Sequence, residues 1–299
     1  MGEAFYKQSF YGVQNVGLTD STPQDGKQRS GPAFLLSLKR EDVHRGHLLL
    51  VNASYPVVQE LDELRSVLLI EGARTLGNAD IELEETCMER LTALLQASES
   101  LQKVVLVSGY RTEEEQSAIY EQSMRENGPE YTAKYVALPG RSEHQTGLAI
   151  DVGELASREL DFIAPSFPDE GECGVIKKLA AAYGFIQRYK EGKEAITGIA
   201  CEPWHFRYVG FPHSEWMERE GMCLEEYIRH VKRYSFEGER LRFEAEHVVY
   251  ETYYAKAEAQ GAVTIPIPSC HGYTVSGNNV DGFIVTAYRS KGHAALRES

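Results

Sequence analysis

Apolar residues recur along this chain with two different periods. Within residues 89–98, Leu91, Leu94 and Leu95 fall at helical spacing, whereas Val104, Val105, Leu106 and Val107 form the unbroken apolar run of a buried strand. That strand delivers Ser108, Gly109, Tyr110 and Arg111 at its end. Thr112, followed three residues later by Glu115, is a capping-box signature and predicts a helix over residues 113–126 that ends near Gly128. Residues 148–152 predict another short buried strand, and helices are expected near 175–183, stopped by Gly184, and over 224–234. Further on, residues 247–254 are dense in Val, Thr and Tyr, and Val263, Thr264 and Ile265 form a second β-prone run. Residues 273–276 and 283–288 flank a polar, glycine-bounded turn, which predicts a terminal hairpin. Helices on a small, mainly antiparallel sheet make an α+β fold, here with a C-terminal β-rich extension.

The predicted division is an arm over residues 1–40, a central domain over 41–235 and the β-rich extension over 236–299. Within the arm, residues 15–32 are rich in Gly, Ser, Thr, Asp and Gln and read as a loop or flexible segment. No internal repeat or low-complexity tract occurs. At 299 residues, 42% hydrophobic and 25% charged, the chain has the apolar material for an ordinary soluble core.

Charge removes some classes of function. The net charge is −14, and no cluster of Lys and Arg offers a surface that could follow a phosphate backbone, so nucleic acid is not an expected partner. The mixed charges at 188–193 and 237–242 read as solvated surface. No stretch of about twenty apolar residues predicts a transmembrane helix, and the first six residues lack the pattern of a secretory signal. The expectation is therefore a cytoplasmic protein if the chain is complete, or one at the outer face of the membrane if an anchor or signal has been removed. Oligomeric state is not legible. Cys87, Cys173, Cys201, Cys223 and Cys270 show no Cys-x-x-Cys spacing, which argues against a zinc ribbon or a disulfide framework. Tyr250, Tyr253, Tyr254 and Tyr273 offer either a glycan-stacking surface or, as the more common use of aromatics, buried area.

Chemistry concentrates in three short segments. Residues 142–151 contain His144 and Asp151, residues 202–205 read Glu-Pro-Trp-His, and Arg111 stands upstream. A catalytic zinc takes three protein ligands and keeps a position open, whereas a structural zinc is closed by four, often cysteines. His144, Asp151 and His205 would make such an open set, and Glu202, three residues before His205, is placed to serve as general base. His144 and Asp151 are seven apart and would face oppositely on one straight strand, so Gly147 is expected to turn the chain between them. Pro203 argues against an ordinary helix around Glu202 and favours an irregular strand end.

The run Ser142-x-His144-x-x-Gly147-x-Ala149-x-Asp151, followed about fifty residues later by Glu202-Pro203-Trp204-His205, resembles the zinc D-alanyl-D-alanine carboxypeptidases of the VanY type. These are LAS-type, hedgehog-like metallopeptidases related to VanX, VanXY and LdcB. Residues 48–52, 108–112, 183–186, 197–199 and 207–210 match as well, and the resemblance extends over roughly residues 47–233. It implies zinc held by His144, Asp151 and His205, with Glu202 as general base and acid. It also implies that Arg111 grips the substrate carbonyl or terminal carboxylate, as a planar guanidinium can through paired hydrogen bonds. Ser142 and Gln116 would position the peptide, with Trp204 in the same wall. Tyr120, four residues after Gln116, would share its helix face and either look into the cleft or pack as plain core. The implied substrate is a peptidoglycan stem peptide or precursor ending in D-Ala-D-Ala. Rival expectations are an L,D-carboxypeptidase or a D-Ala-D-Ala dipeptidase on the same scaffold and, from another class, a catalytically silent wall-peptide binding module.

Overall fold

The computed structural model describes residues 31–58, 73–78, 80–155, 161–258 and 261–291. In chain order these form β1 (Phe34–Leu38), β2 (Arg74–Thr75), α1 (Glu85–Ala97), β3 (Val104–Ser108), α2 (Glu113–Glu126), α3 (Pro129–Tyr135), β4 (Ala149–Glu154), α4 (Gly171–Ala180), β5 (Phe185–Tyr189), α5 (Glu194–Thr197), β6 (Glu202–Tyr208), α6 (His213–Arg219), α7 (Leu224–Val231), β7 (Leu241–Glu244), β8 (Val248–Lys256), β9 (Val263–Ile267), β10 (Gly272–Gly277) and β11 (Gly282–Ser290). They separate into two compact units, one of residues 47–228 and one combining the chain up to Gly46 with the chain from Arg229.

The first of these units carries a five-stranded sheet in the order β2-β3-β4-β6-β5, antiparallel except where β2 meets β3. All five residues of β3 are buried, which is what its unbroken apolar run requires. Leu91, Leu94 and Leu95 of α1 pack in one cluster with Leu106, Ile150, Val152 and Phe206 of the sheet. Helix α1 starts four residues earlier than its apolar spacing suggested, because the Glu84 carboxylate accepts from the Cys87 backbone N–H and caps the end. Helix α2 has the predicted bounds, with Thr112 Oγ1 accepting from the Glu115 N–H at 3.1 Å and Glu115 Oε2 accepting from the Thr112 N–H at 2.9 Å. Helix α4 begins at Gly171, ahead of the expected 175, and continues through a 3-10 turn to Gly184.

The second unit holds a four-stranded antiparallel sheet, β10-β11-β8-β7, and a two-stranded sheet of β1 and β9. The pairing of β1 with β9, Phe34 against Ile267 through Leu38 against Val263, places residues 34–38 with the C-terminal β elements instead of in an arm. The boundaries fall at 46/47 and 228/229, against the 40/41 and 235/236 drawn from composition, since pairing across more than 200 residues leaves no local signature. Residues 1–30 lie outside the described residues. The predicted hairpin is β10-β11. Tyr253 and Tyr273 are buried in the core of this unit beside Val263, Ile265 and Phe283, Tyr250 is buried as well, and the Tyr254 hydroxyl donates to the Asp281 carbonyl at 3.0 Å. They serve packing, not a glycan-stacking surface. All five cysteines are free thiols, and no helix among the described residues is long and apolar enough to cross a membrane.

Candidate metal centre and its cleft

The sheet register explains why three residues far apart in sequence converge. Asp151 of β4 stands directly opposite His205 of β6, and on its other side Ser108 of β3 stands opposite Asp151 after a register shift. Directly opposed residues share a face. His205 Nδ1 consequently lies 2.9 Å from Asp151 Oδ1. His144 arrives from a 3-10 turn over Glu143–Thr146, closed by Gly147 at φ 64°, the left-handed conformation expected there. His144 Nε2 lies 3.1 Å from Asp151 Oδ2. The three residues are buried, and one candidate ligand atom from each lies within 4.8 Å of the others.

The loop after β3 sets the other wall. A Cβ at Gly109 would meet the Glu82 carbonyl oxygen at 2.4 Å, so only glycine passes here. The Gly109 carbonyl accepts the His144 Nδ1 proton at 2.6 Å, which leaves Nε2 as the open nitrogen of that ring. Arg111 donates from Nε to Ser108 Oγ at 2.7 Å and from Nη1 to Gln116 Oε1 at 3.1 Å. Its Nη2 points at the ligand set, 2.8 Å from Asp151 Oδ2 and 2.9 Å from His144 Nε2.

Glu202 opens β6, and its neighbour across the sheet is Tyr189, beyond an irregularity between Gln187 and Tyr189. Residues three apart on a regular strand would face oppositely, yet Glu202 and His205 both line the cleft, with Glu202 Oε2 3.8 Å from His205 Nδ1. The irregular strand end expected around Glu202 is the start of β6, which runs four residues from Glu202 to Phe206 while its partner runs two, from Tyr189 back to Gln187. Burial, reinforced by the nearby Asp151 and Glu143 carboxylates, pushes the Glu202 carboxyl up to about 8. Burial and the Arg111 guanidinium draw His144 down to about 4, so its ring is neutral. For His205 burial acts downward too, but the Asp151 and Glu143 carboxylates outweigh it and raise the ring to about 9. A cation entering the site must therefore displace a proton from His205.

Ser142 and Trp204 line the cleft as expected, and Trp204 also packs into the core. Gln116 lines it too, but its amide is committed: Oε1 accepts from Arg111 and Nε2 donates to the Ala137 carbonyl at 2.8 Å. Tyr120 does not line the cleft; Ile119 does, because Gln116 and a residue three positions on also share a helix face. Tyr189 and Phe162 line it without having been expected. The Tyr189 ring packs 5.1 Å from that of His205, and Phe162 lies 5.7 Å from the Arg111 guanidinium.

Behind the ligands lies a buried ion network that contradicts the solvated reading of Arg188. Arg188 and Arg207 are 0% exposed. Both donate to Glu143 Oε1, at 2.8 and 2.7 Å, and Arg188 also forms a two-point contact with Glu225 at 2.9 and 2.6 Å. Burial would raise Glu143, but the two guanidiniums hold it well below the usual carboxylate range; Arg188 holds Glu225 low in the same way. Such carboxyls bind fewer protons folded than unfolded, so their stabilisation is complete above the unfolded value near 4.5 and is lost as pH falls below it. Urea unfolding followed from pH 7 to pH 3 should show stability declining below about pH 4.5, with a shallower decline in Glu225→Gln. A flat profile would contradict the pairing.

A cleft on an α+β fold that gathers a candidate ligand set, a carboxyl and a guanidinium has the parts of a metallopeptidase. A sequence model of the VanY family, D-alanyl-D-alanine carboxypeptidase, matches residues 80–211. A D-alanyl-D-alanine carboxypeptidase of Enterococcus faecium is 34% identical over 309 aligned positions, spanning 99% of this chain and 93% of that protein. The bifunctional D-Ala-D-Ala dipeptidase and carboxypeptidase VanXYC of Enterococcus gallinarum is 42% identical over 180 residues, 60% of this chain and 92% of that protein. Among solved structures, the D,D-dipeptidase VanXYg in complex with a D-Ala-D-Ala phosphinate analogue superposes with a TM-score of 0.77 at 41% identity, covering 86% of this chain and 99% of that one. The LD-carboxypeptidase LdcB gives 0.53 at 30% identity, over 61% and 86% of the two chains. The chain belongs to the VanY family of D-alanyl-D-alanine carboxypeptidases.

Proposed function

We propose that this protein is a zinc-dependent D,D-carboxypeptidase that removes the terminal D-alanine from peptidoglycan stem peptides or their precursors. The observation that carries the reading is the convergence of His144, Asp151 and His205 within 4.8 Å, in a cleft also lined by Glu202 and Arg111. Two imidazole nitrogens and one carboxylate suit zinc, and three protein ligands leave a coordination position for chemistry. A zinc ion held there supplies an electrophile for the scissile carbonyl and lowers the pKa of water to about 7.

The remaining work falls to the chain's own groups. Glu202, as carboxylate, takes the proton of the attacking water and passes it to the departing amine. Its raised pKa suits the second task, since a carboxyl that readily holds a proton is also a competent acid. Positive charge at the triad brings that value down towards the working range. Arg111, fixed by Ser108 and Gln116, presents Nη2 to the charge that develops on the carbonyl oxygen. Arg111→Lys keeps a charge but loses the fork that Ser108 and Gln116 hold, and should lower kcat/KM by about 10²-fold. Steady-state kinetics check this, and a loss under threefold would move Arg111 out of the machinery.

A second reading is favoured by similarity: both VanXYC and VanXYg are described as dipeptidases, so free D-Ala-D-Ala is a further substrate to test. The deciding experiment is mass spectrometry after incubating zinc-loaded protein with a pentapeptide ending in D-Ala-D-Ala, a tetrapeptide ending in one D-Ala, and the dipeptide. Loss of one alanine from the pentapeptide supports the D,D-carboxypeptidase, and cleavage of the dipeptide as well supports dual activity. Cleavage of the tetrapeptide alone would transfer the protein to L,D specificity. No cleavage of any would favour the silent binding module.

A further inference from the structure

Glu143 sits between two conspicuous neighbours, Ser142 and His144, yet its side chain turns away from both roles. The carboxylate is 0% exposed. Its Oε1 receives Arg188 Nε at 2.8 Å and Arg207 Nη1 at 2.7 Å. Those guanidiniums are themselves fixed, Arg188 by Glu225 and Arg207 by the carbonyls of His47 and Leu49 at 3.1 and 3.0 Å. With one oxygen pinned from two directions, the orientation of the other is set.

That other oxygen, Oε2, faces His205 Nε2 at 3.6 Å. Both atoms are fully buried, and neither has another hydrogen-bond partner among the described residues. A buried donor or acceptor left unmatched is costly, and here two of them stand face to face, a few tenths of an ångström beyond hydrogen-bond length. On the opposite side of the ring, Nδ1 faces Asp151. An imidazole that donates through one nitrogen presents a lone pair at the other.

We infer that Glu143 is a positioning residue that holds His205 in the tautomer protonated at Nε2, so that Nδ1 is the atom presented to the metal; this rests on the metal-site reading above. The two imidazoles then ligate through opposite nitrogens, each selected by a different acceptor. His144 is set by a backbone carbonyl, which no side-chain substitution removes, and His205 by a carboxylate, which one does. A carboxylate behind a ligand also raises its basicity, and losing such a partner typically weakens metal binding about 10–100-fold.

Glu143→Gln gives a sharp test because its geometry is dictated. Two arginine donors require an oxygen, so the amide oxygen takes the Oε1 position and the NH₂ group faces His205 Nε2. A donor there demands an acceptor, which moves the ring proton to Nδ1 and blocks the ligand atom. The full chain, labelled with ¹⁵N-histidine and loaded with ¹¹³Cd²⁺, should show cadmium coupling to Nδ1 of one ring and to Nε2 of another, the first ring carrying a slowly exchanging Nε2 proton. In Glu143→Gln the Nδ1 coupling should disappear, and zinc affinity measured by chelator competition should fall about 10–100-fold with an unchanged circular dichroism spectrum. If that variant does not fold, the wild-type spectrum decides: both rings coordinated through Nε2, or no protected Nε2 proton, would overturn the assignment. A wild-type protein that binds neither cadmium nor zinc would sink the metal-site reading itself. One that binds through Nδ1 while Glu143→Gln keeps the same coupling and affinity would sink the role of Glu143 alone.

Discussion

Glu202→Gln should lower kcat by as much as about 10⁴-fold, the upper end of what a positioned general base and acid contributes, while zinc remains bound and the fold is unchanged. Glutamine has nearly the same shape, so the packing of a side chain that is 5% exposed is kept. What it loses is the ability to accept a proton from water and return it to the amine. Glu202 is not one of the three convergent ligands, so metal affinity should stay within about threefold, well short of the loss expected when a ligand's own partner is removed. KM should move far less than kcat, because the interaction removed is made chiefly in the transition state. Single-turnover kinetics with metal content measured on the same sample checks both halves. A variant that retains a tenth of wild-type turnover would remove Glu202 from proton transfer, and one that is inactive because it has lost its metal would reassign it as a ligand.

The residues proposed as ligands and base were legible in the sequence because each sits in a short run with its own turn chemistry. Gly147 closes the turn that carries His144, and Pro203 keeps Glu202 and His205 out of a helix. Arg111 was legible for the same reason, since it directly precedes the capping box that starts α2. What surrounds these residues was hidden by distance. Arg188 and Glu225 are 37 residues apart and Arg207 and Glu143 are 64 apart, so nothing local distinguishes their charges from solvated ones. One signal was available: Glu143 lies between Ser142 and His144, a few residues before the predicted buried strand over 148–152, and a carboxylate carried into such surroundings demands cations. The alternation of β6 gave a second, since Arg207 follows His205 by two and so continues the same face. The strand β1 and the domain boundaries had no comparable clue, because their basis is a pairing with β9 more than 200 residues away.

Arg188→Met should destabilise the fold by about 3–5 kcal/mol, the usual cost of leaving buried charge without its partner. The methionine replaces much of the apolar stem but none of the three polar contacts. Glu225 would keep Asn52 as its remaining side-chain donor, at 3.1 Å, and Glu143 would keep Arg207 as its one guanidinium donor. The Glu143 side chain has no exposed surface and that of Glu225 only a small fraction, so water replaces the lost guanidinium poorly. Urea unfolding at pH 7 measures the loss, and a change below about 1 kcal/mol, the range of an exposed pair, would mean that the buried network contributes nothing beyond packing. Arg188→Lys separates charge from geometry. A point charge can satisfy one carboxylate but not deliver Nε to Glu143 and both terminal nitrogens to Glu225 at once, so the lysine variant should recover only a minor part of the stability. Because Glu143 is the member of this network that faces His205, the same substitution should also loosen the metal site. Zinc affinity in Arg188→Met should therefore fall along with stability, whereas in Glu225→Gln, which leaves both guanidiniums on Glu143, stability should fall with less effect on the metal.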